Sequence, residues 1–308
     1  MKKINVGDLK KSFGIGHNEK LPDDTITLYE GMDLDYEEVS TEQQEKIIDK
    51  IYAEINHGFS RVGKERNNIW ELAWKDLKCS FIENMYDVDS LIPSYISKHE
   101  FIRYGGKYIR PKSKNFEVNY FSIFRSWLFW KYIKEYSHIY EFGSGSGYNI
   151  IRASEMFPEK MLTGFDWSES SIEILNLYGK YKNSNVSGKY LNFYEPDYNI
   201  EIEPDSVVMS FCAFEQIGSD FQEVLKFIIK KKPALIVQVE PTKEYYDPSK
   251  KFDQIAIRYH EHRNYLDGYL KELKWLEVKG KLRILKSKRL YFGNIYNECF
   301  SYHIWKPI

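Results

Sequence analysis

Residues 141–147 read Glu-Phe-Gly-Ser-Gly-Ser-Gly, with glycine at three alternate positions and an acid two residues before the first. A backbone free of Cβ atoms bends tightly and lets a ligand lie against its peptide groups. Asp166 follows Gly147 by 19 residues, and an acid there can accept two charge-strengthened hydrogen bonds from a ribose diol. Its neighbour Trp167 can cover the face of a base or serve packing alone. In "RYHEHRNYLDGYL", His260, Arg263 and Asp267 fall three and four residues apart, with Tyr259 and His262 at the edges. One helical face can hold all three. His260 is read there as a general base, because imidazole titrates near neutral pH, and Arg263 as an anion anchor. A solvated, self-paired face fits the same spacing. Glu215, in "SFCAFEQIG", is a further acid that can hold a reacting group or cap a helix.

These residues need elements to position them. From residue 138 onward, "HIYEF", "MLTGFD", "SGKYLNF", "SVVMSF" and "ALIVQVE" read as strands. Helical segments are expected at about 147–156 and 169–178, across "DFQEVLKFIIKK", and as one long helix at about 249–279. Such alternation predicts an α/β fold with a mostly parallel sheet and helices on both faces. "KLRILKSKRLYF" and "ECFSYHIW" follow as two strands with only "GNIYN" between them, which requires an antiparallel hairpin. In such a sheet ligands lie beyond the carboxyl ends of the strands where the winding reverses, and the Gly143–Gly147 bend is at such an end.

Residues 1–116 form a mainly helical N-terminal extension to a domain spanning 117–308. Ser40 and Gln43 have capping-box spacing, so a helix follows through "EKIIDKIYAEI". More helix is expected within 67–87, a hairpin or loop at 101–116, and a helix at 117–136. "DLDYEE" at 33–38 has Glu38 where a calcium loop needs glycine, and reads as a solvated acidic face. Tyr104, Lys107, Tyr108 and Arg110 suit a lid over a polar, sugar-like or phosphorylated acceptor; a dimer or packing surface is the other reading.

The 308 residues are 43% hydrophobic and carry a formal net charge of −1, ample for a core and no signature of a nucleic-acid or acidic-membrane partner. Three separated cysteines, with no CxxC pair, point to reduced thiols in a cytoplasm and against a zinc site. The first residues contain no apolar signal segment, and the most apolar window, "YFSIFRSWLFWKYI", is too short and too charged to span a bilayer. The Lys, Asn, Ile and Tyr bias is that of an AT-rich bacterial genome.

The E-x-G-x-G-x-G pattern departs from the dinucleotide fingerprint, whose third glycine would fall at Tyr148. The chain from about 115 to 308 resembles the class I S-adenosylmethionine-dependent methyltransferases, whose first motif is an acid followed by alternating glycines at the end of strand one. The resemblance implies that the backbone of Gly143, Ser144, Gly145 and Gly147 lines the methionine part of S-adenosylmethionine. Glu141 would lend charge near its amino group and Asp166 would hold the ribose. Trp167, Asn192, Phe193 and Phe211 would border the rest, Asn192 standing where the family commonly has Asp. The family also ends in an antiparallel strand inserted beside the fifth, which the terminal hairpin fits and a dinucleotide domain does not.

The acceptor is read mostly from what is missing. "SFCAFEQIG" lacks the [DN]-P-P-[YF] of amino-methylating DNA enzymes, the Pro-Cys of cytosine C5 enzymes and the Asp that would hold a catalytic magnesium. It resembles the "L-E-H" stretch of small-molecule methyltransferases. The expectation is O-methylation of a sugar, polysaccharide precursor or secondary metabolite, with Glu215, Tyr259, His260 and Arg263 around the acceptor and no metal. A nucleotide-dependent oxidoreductase and a non-catalytic binding protein are the competing readings.

Overall fold

Four strands with nearly every side chain buried, His138–Phe142, Met161–Asp166, Ser206–Phe211 and Leu235–Val239, build the centre of the molecule, which the computed structural model describes at residues 1–16 and 18–308. The strands are β1 (Lys2–Lys3), β2 (Asp35–Glu38), β3 (Ile102–Tyr104), β4 (Lys107–Pro111), β5 (His138–Phe142), β6 (Met161–Asp166), β7 (Val186–Tyr190), β8 (Ser206–Phe211), β9 (Leu235–Val239), β10 (Leu282–Lys288), β11 (Phe292–Gly293) and β12 (Tyr302–Pro307). The helices are α1 (Val6–Phe13), α2 (Asp23–Glu30), α3 (Thr41–His57), α4 (Asn67–Glu83), α5 (Phe116–Tyr132), α6 (Tyr148–Met156), α7 (Glu169–Lys182), α8 (Gln222–Lys231), α9 (Lys251–Arg263) and α10 (Tyr269–Val278).

The main sheet has seven strands in the order β10-β12-β9-β8-β5-β6-β7. Pairings among β9, β8, β5, β6 and β7 are parallel, whereas β12 runs antiparallel to both β9 and β10. This is the sheet of the class I methyltransferase fold, with the antiparallel strand inserted beside the fifth. β8 and β9 are buried along their whole length, as strands covered on both faces must be. The edge strands β7 and β10 carry exposed charges, Lys189 and Arg283, that blunt an open edge. The winding reverses between β5 and β8, and the cleft described below opens there.

Ser40 accepts the Gln43 backbone N–H at 3.2 Å and starts α3 where the capping spacing placed it. The hairpin at 101–116 is β3 and β4, part of a second sheet ordered β1-β2-β4-β3-β11. Its last strand comes from the far end of the chain: Phe292 pairs with Tyr104 and Gly293 with Arg103. Residues of the first third, such as Leu9, Phe13, Phe81 and Ile109, share one apolar core with Ile139, Val207 and Val237 of the main sheet.

Two expected elements differ. The long helix at 249–279 is two helices, because Asn264 adopts a left-handed conformation (φ 56°), Leu266 turns into the core and Gly268 (φ 81°) starts α10. "NYLDG" carries turn-forming Asn and Asp-Gly, a stronger signal than the periodicity that ran across it. Asp267 is therefore off the helix that holds His260 and Arg263. The terminal strands do pair antiparallel, from Leu282 with Pro307 to Lys288 with Tyr302. The link between them spans 289–301 and leaves the main sheet to supply β11.

A buried ionic quartet ties these parts together. Arg289 donates to Asp253 at 2.6 Å and to Glu298 at 2.9 Å, and Arg103 lies 3.4 Å from Asp253 and 3.7 Å from Glu298. Two cations meet two anions on β3, α9 and the 289–301 link.

Candidate active site

β5 ends at Phe142 and the chain turns at once. Gly143 and Gly147 have φ of 72° and 76°, a region that costs other residues strain. A Cβ on Gly143 would lie 2.4 Å from the Ala213 Cβ, and one on Gly147 2.7 Å from Leu175 Cδ2. The N–H groups of Gly143 and Ser144 both donate to the Phe165 carbonyl, at 2.8 and 3.0 Å, which fastens the bend to β6. Asp166 completes the cradle. One carboxylate oxygen accepts the Gly145 N–H at 2.8 Å and the other accepts the Ser168 N–H at 2.9 Å. Burial pushes its pKa up to about 6, against the pull of those N–H groups.

Glu141 sits beneath the bend, 1% exposed. Its Oε1 accepts a hydrogen bond from Asn149 at 3.0 Å, and Asn149 in turn accepts one from Arg125 at 3.1 Å. Its Oε2 is buried without a partner. Desolvation raises the group to about 8.

Above this floor is a cleft of about 550 Å³. Glu141, Gly143, Ser144, Gly145, Asp166, Trp167, Phe193 and Phe211 line one part of it, and Glu215, Tyr259 and Arg263 another. Eleven of the residues singled out from the sequence thus meet in one space. Three do not. Gly147 packs on Leu175 and starts α6. Asn192 turns its Oδ1 to the Tyr194 N–H at 3.0 Å, forming a local turn that commits its acceptor. His260 lies outside the cleft, 1% exposed, wedged between the rings of Tyr246 and Tyr265, with Asn297 Nδ2 3.3 Å from its Nε2. Burial pushes its pKa down to about 3. It borders a separate polar cavity with Lys243 and Asp267. The periodicity named the right helix but not which face looks inward.

The acids at the far side are set by β8 and β9. Cys212 leaves β8 with φ 53°, which aims the next three N–H groups at Glu240. Glu240, fully buried, accepts from Ala213 and Phe214 at 3.2 Å, from Glu215 at 3.3 Å and from the Ser210 hydroxyl at 3.0 Å. The turn so held presents Glu215, which burial, reinforced by the Glu240 charge, raises to about 8.

The roof comes from residues the motif reading did not reach. Trp70 and Trp74 of α4 stack at 5.2 Å, and Trp74 lies over Gly145, 3.0 Å from where a Cβ would be. Glu71 accepts the hydroxyls of Ser168 and Ser170, both at 2.6 Å, clamping α4 to the start of α7. Arg66, Trp70 and Trp74 are four residues apart, a helical stripe that is visible in the sequence once its partner surface is known. Tyr95, His99, Asn294 and Tyr296 also line the cleft, from the loop before β3 and from the 289–301 link. The Tyr104–Arg110 hairpin does not cover it: Tyr108 is buried against the Ile295 carbonyl, and Arg110 pairs with Glu100 at 2.9 Å. Among the described residues no helix is long and apolar enough to cross a membrane.

No protein-family model matches the chain and no curated protein matches it. Solved structures similar to it include TehB from Haemophilus influenzae, 14% identical, with 66% of this chain and 69% of that one covered and a TM-score of 0.43. The 16S rRNA methylase ArmA is 18% identical, with 76% and 98% covered and a TM-score of 0.41. An O-methyltransferase of neocarzinostatin biosynthesis, in complex with S-adenosylmethionine and 2-hydroxy-5-methyl naphthoic acid, is 11% identical, with 63% and 58% covered and a TM-score of 0.41.

Proposed function

We propose that the protein transfers a methyl group from S-adenosylmethionine to a small polar acceptor bound in the same cleft. The observation that carries this reading is the unpartnered Glu141 Oε2, buried under a glycine bend at the carboxyl end of β5. A buried carboxyl oxygen without a donor costs stability unless something supplies one, and an ammonium group does so. Gly143, Ser144 and Gly145 leave room beside it, Asp166 retains lone pairs for a diol, and Trp167 and Phe193 offer apolar faces to a base. The residues present therefore fit the cofactor, which supplies a methyl group already activated by its sulfonium charge.

The protein's own part is placement and exclusion of water. Trp70 and Trp74 cover the bend, so the reacting groups meet in a site of low dielectric. Positioning of this kind contributes on the order of 7–11 kcal/mol to such a reaction. With His260 turned away, Glu215 is the group placed to take the acceptor's proton: a carboxyl raised to about 8 is matched to an oxygen or nitrogen acid near neutral pH. Tyr259 and Arg263 hold the acceptor against it.

Calorimetric titration with S-adenosylmethionine, S-adenosylhomocysteine and NAD(P) tests the reading. Binding of the first two and not the third is expected. Preference for NAD(P), or no heat with any of them, overturns it. Methyl transfer from labelled cofactor to a panel of hydroxylated and aminated small molecules then identifies the acceptor.

A further inference from the structure

Arg66 and Arg263 stand side by side in the lining of the cleft. Their guanidinium groups converge on one small residue: Arg66 donates to the Ser60 hydroxyl at 2.9 Å and Arg263 at 3.0 Å. Arg263 also donates to the Ser60 carbonyl and, at 3.4 Å, to the Tyr265 hydroxyl. The Nε of each is buried without a partner. Neither has a carboxylate within ion-pair distance among the described residues, in contrast to Arg103 and Arg289, which meet Asp253 and Glu298. The Arg66 pKa is lowered by burial and then by the Arg263 charge, whereas that of Arg263 is raised despite its burial, by Tyr265, Tyr259 and Glu215.

Among the described residues, none of the acids that line the cleft forms an ion pair with either arginine. Glu141 and Glu215 are raised by burial to about 8 and so are largely neutral at pH 7, Glu117 is raised by burial as well, and Asp166, raised to about 6, is engaged by the N–H groups of Gly145 and Ser168 at the glycine bend. Lys98 adds a further positive charge to the lining. Two guanidinium groups that share a neutral acceptor and keep unused donors match the fork geometry of an oxyanion. The space next to them is aromatic: Arg66 lies over Trp70 with 5.4 Å to the ring centre, and Tyr259 stacks on Tyr296 at 4.9 Å.

We propose that Arg66 and Arg263 form a binding site for a carboxylate or phosphate group, and that the methyl acceptor is an anion with a flat apolar body. The site takes the charged end of the acceptor while the aromatic walls take the rest, leaving the reacting oxygen or nitrogen toward Glu215. Only the word acceptor rests on the methyl-transfer reading; binding of the anion does not.

The test titrates the full chain, saturated with S-adenosylhomocysteine, with inorganic phosphate, phenyl phosphate, benzoate and benzyl alcohol. Phenyl phosphate or benzoate is expected to bind more tightly than benzyl alcohol, and the stronger of the two identifies the anion. R66Q/R263Q should weaken it by at least about tenfold, the loss expected for charge-assisted hydrogen bonds. R110Q, on the outer sheet, should leave it unchanged. Thermal melts establish that the variants fold; the single variant R66Q decides if the double one does not. Equal anion affinity in wild type and variant, or benzyl alcohol binding as tightly as benzoate, overturns the proposal. Competition between the anions and S-adenosylhomocysteine also overturns it, because the arginines would then serve the cofactor. Failure of S-adenosylhomocysteine to bind, with the anion results intact, overturns the methyl-transfer reading and leaves the anion site standing.

Discussion

Glu141 should lose a proton when the cofactor binds. In the free protein its carboxyl is buried and raised to about 8 by that burial, against the pull of the Asn149 amide, the Arg125 charge and the Ile150 N–H. At pH 7 a carboxyl with a pKa of about 8 is about 90% protonated. An ammonium group at Oε2 favours the ionised form, so binding releases up to about 0.9 proton at pH 7 and close to none at pH 9.5. Ionising the group at pH 7 costs up to about 1.4 kcal/mol, one pKa unit, which the ammonium offsets. A carboxyl raised in the folded state contributes stability below its unfolded pKa, and that contribution is lost as pH rises through the folded value. The melting temperature of the free protein should therefore fall between about pH 5 and pH 8, and less so with S-adenosylhomocysteine bound. Calorimetry in two buffers of different ionisation enthalpy counts the protons. E141Q should release almost none, bind more weakly and lose this part of the pH dependence. Fewer than about 0.2 proton from the wild type at pH 7, or the same release from E141Q, would refute the assignment of Oε2 to a cationic ligand.

Three further outcomes are expected. G143V places a branched side chain where φ is 72° and the Ala213 Cβ is 2.4 Å from the new Cβ; it should abolish cofactor binding by calorimetry and lower stability by at least about 1–3 kcal/mol in denaturant titration. E215Q should cut kcat by about 10²–10⁴-fold and remove a limb of the kcat/KM profile that rises toward pH 8, while S-adenosylhomocysteine affinity stays within a few fold; an unchanged profile would put the base elsewhere. D253N leaves Arg103 and Arg289 short of a counter-charge and should cost about 3–5 kcal/mol in chemical denaturation, with a smaller loss showing that Glu298 and the carbonyls of Phe252 and Tyr245 suffice.

What could be read from the chain alone was what is local in it. Glu141, the glycine bend and Asp166 lie at strand ends whose period and apolar content mark them, and the sheet brings them together by its own geometry. The same holds for the antiparallel insertion, forced by the absence of a helix between the last two long strands. His260 failed because a mixed helix does not state which face meets the core: its Tyr246 neighbour comes from a segment that no pattern links to it, and Tyr265 folds back on it only because the helix stops at Asn264. Trp70 and Trp74 were beyond reach for a related reason. Their partner is a bend some 70 residues later, and an aromatic stripe takes its meaning from what lies opposite. Phe292–Gly293 is too short to register as a strand, yet its two residues pull the 289–301 link across the cleft.

That pairing has a consequence for biosynthesis. Tyr104 waits for Phe292, 188 residues later, before its sheet has an outer edge. Arg103 likewise waits for Glu298. A nascent chain emerging from the ribosome can form the parallel strands as they appear, but the front and back of the cleft are joined only once residues 292–298 have been made. Until then Arg103 has no Glu298 and the tryptophans of α4 face an unfinished wall, so ribosome-stalled chains ending before about residue 290 should be the species that chaperones hold.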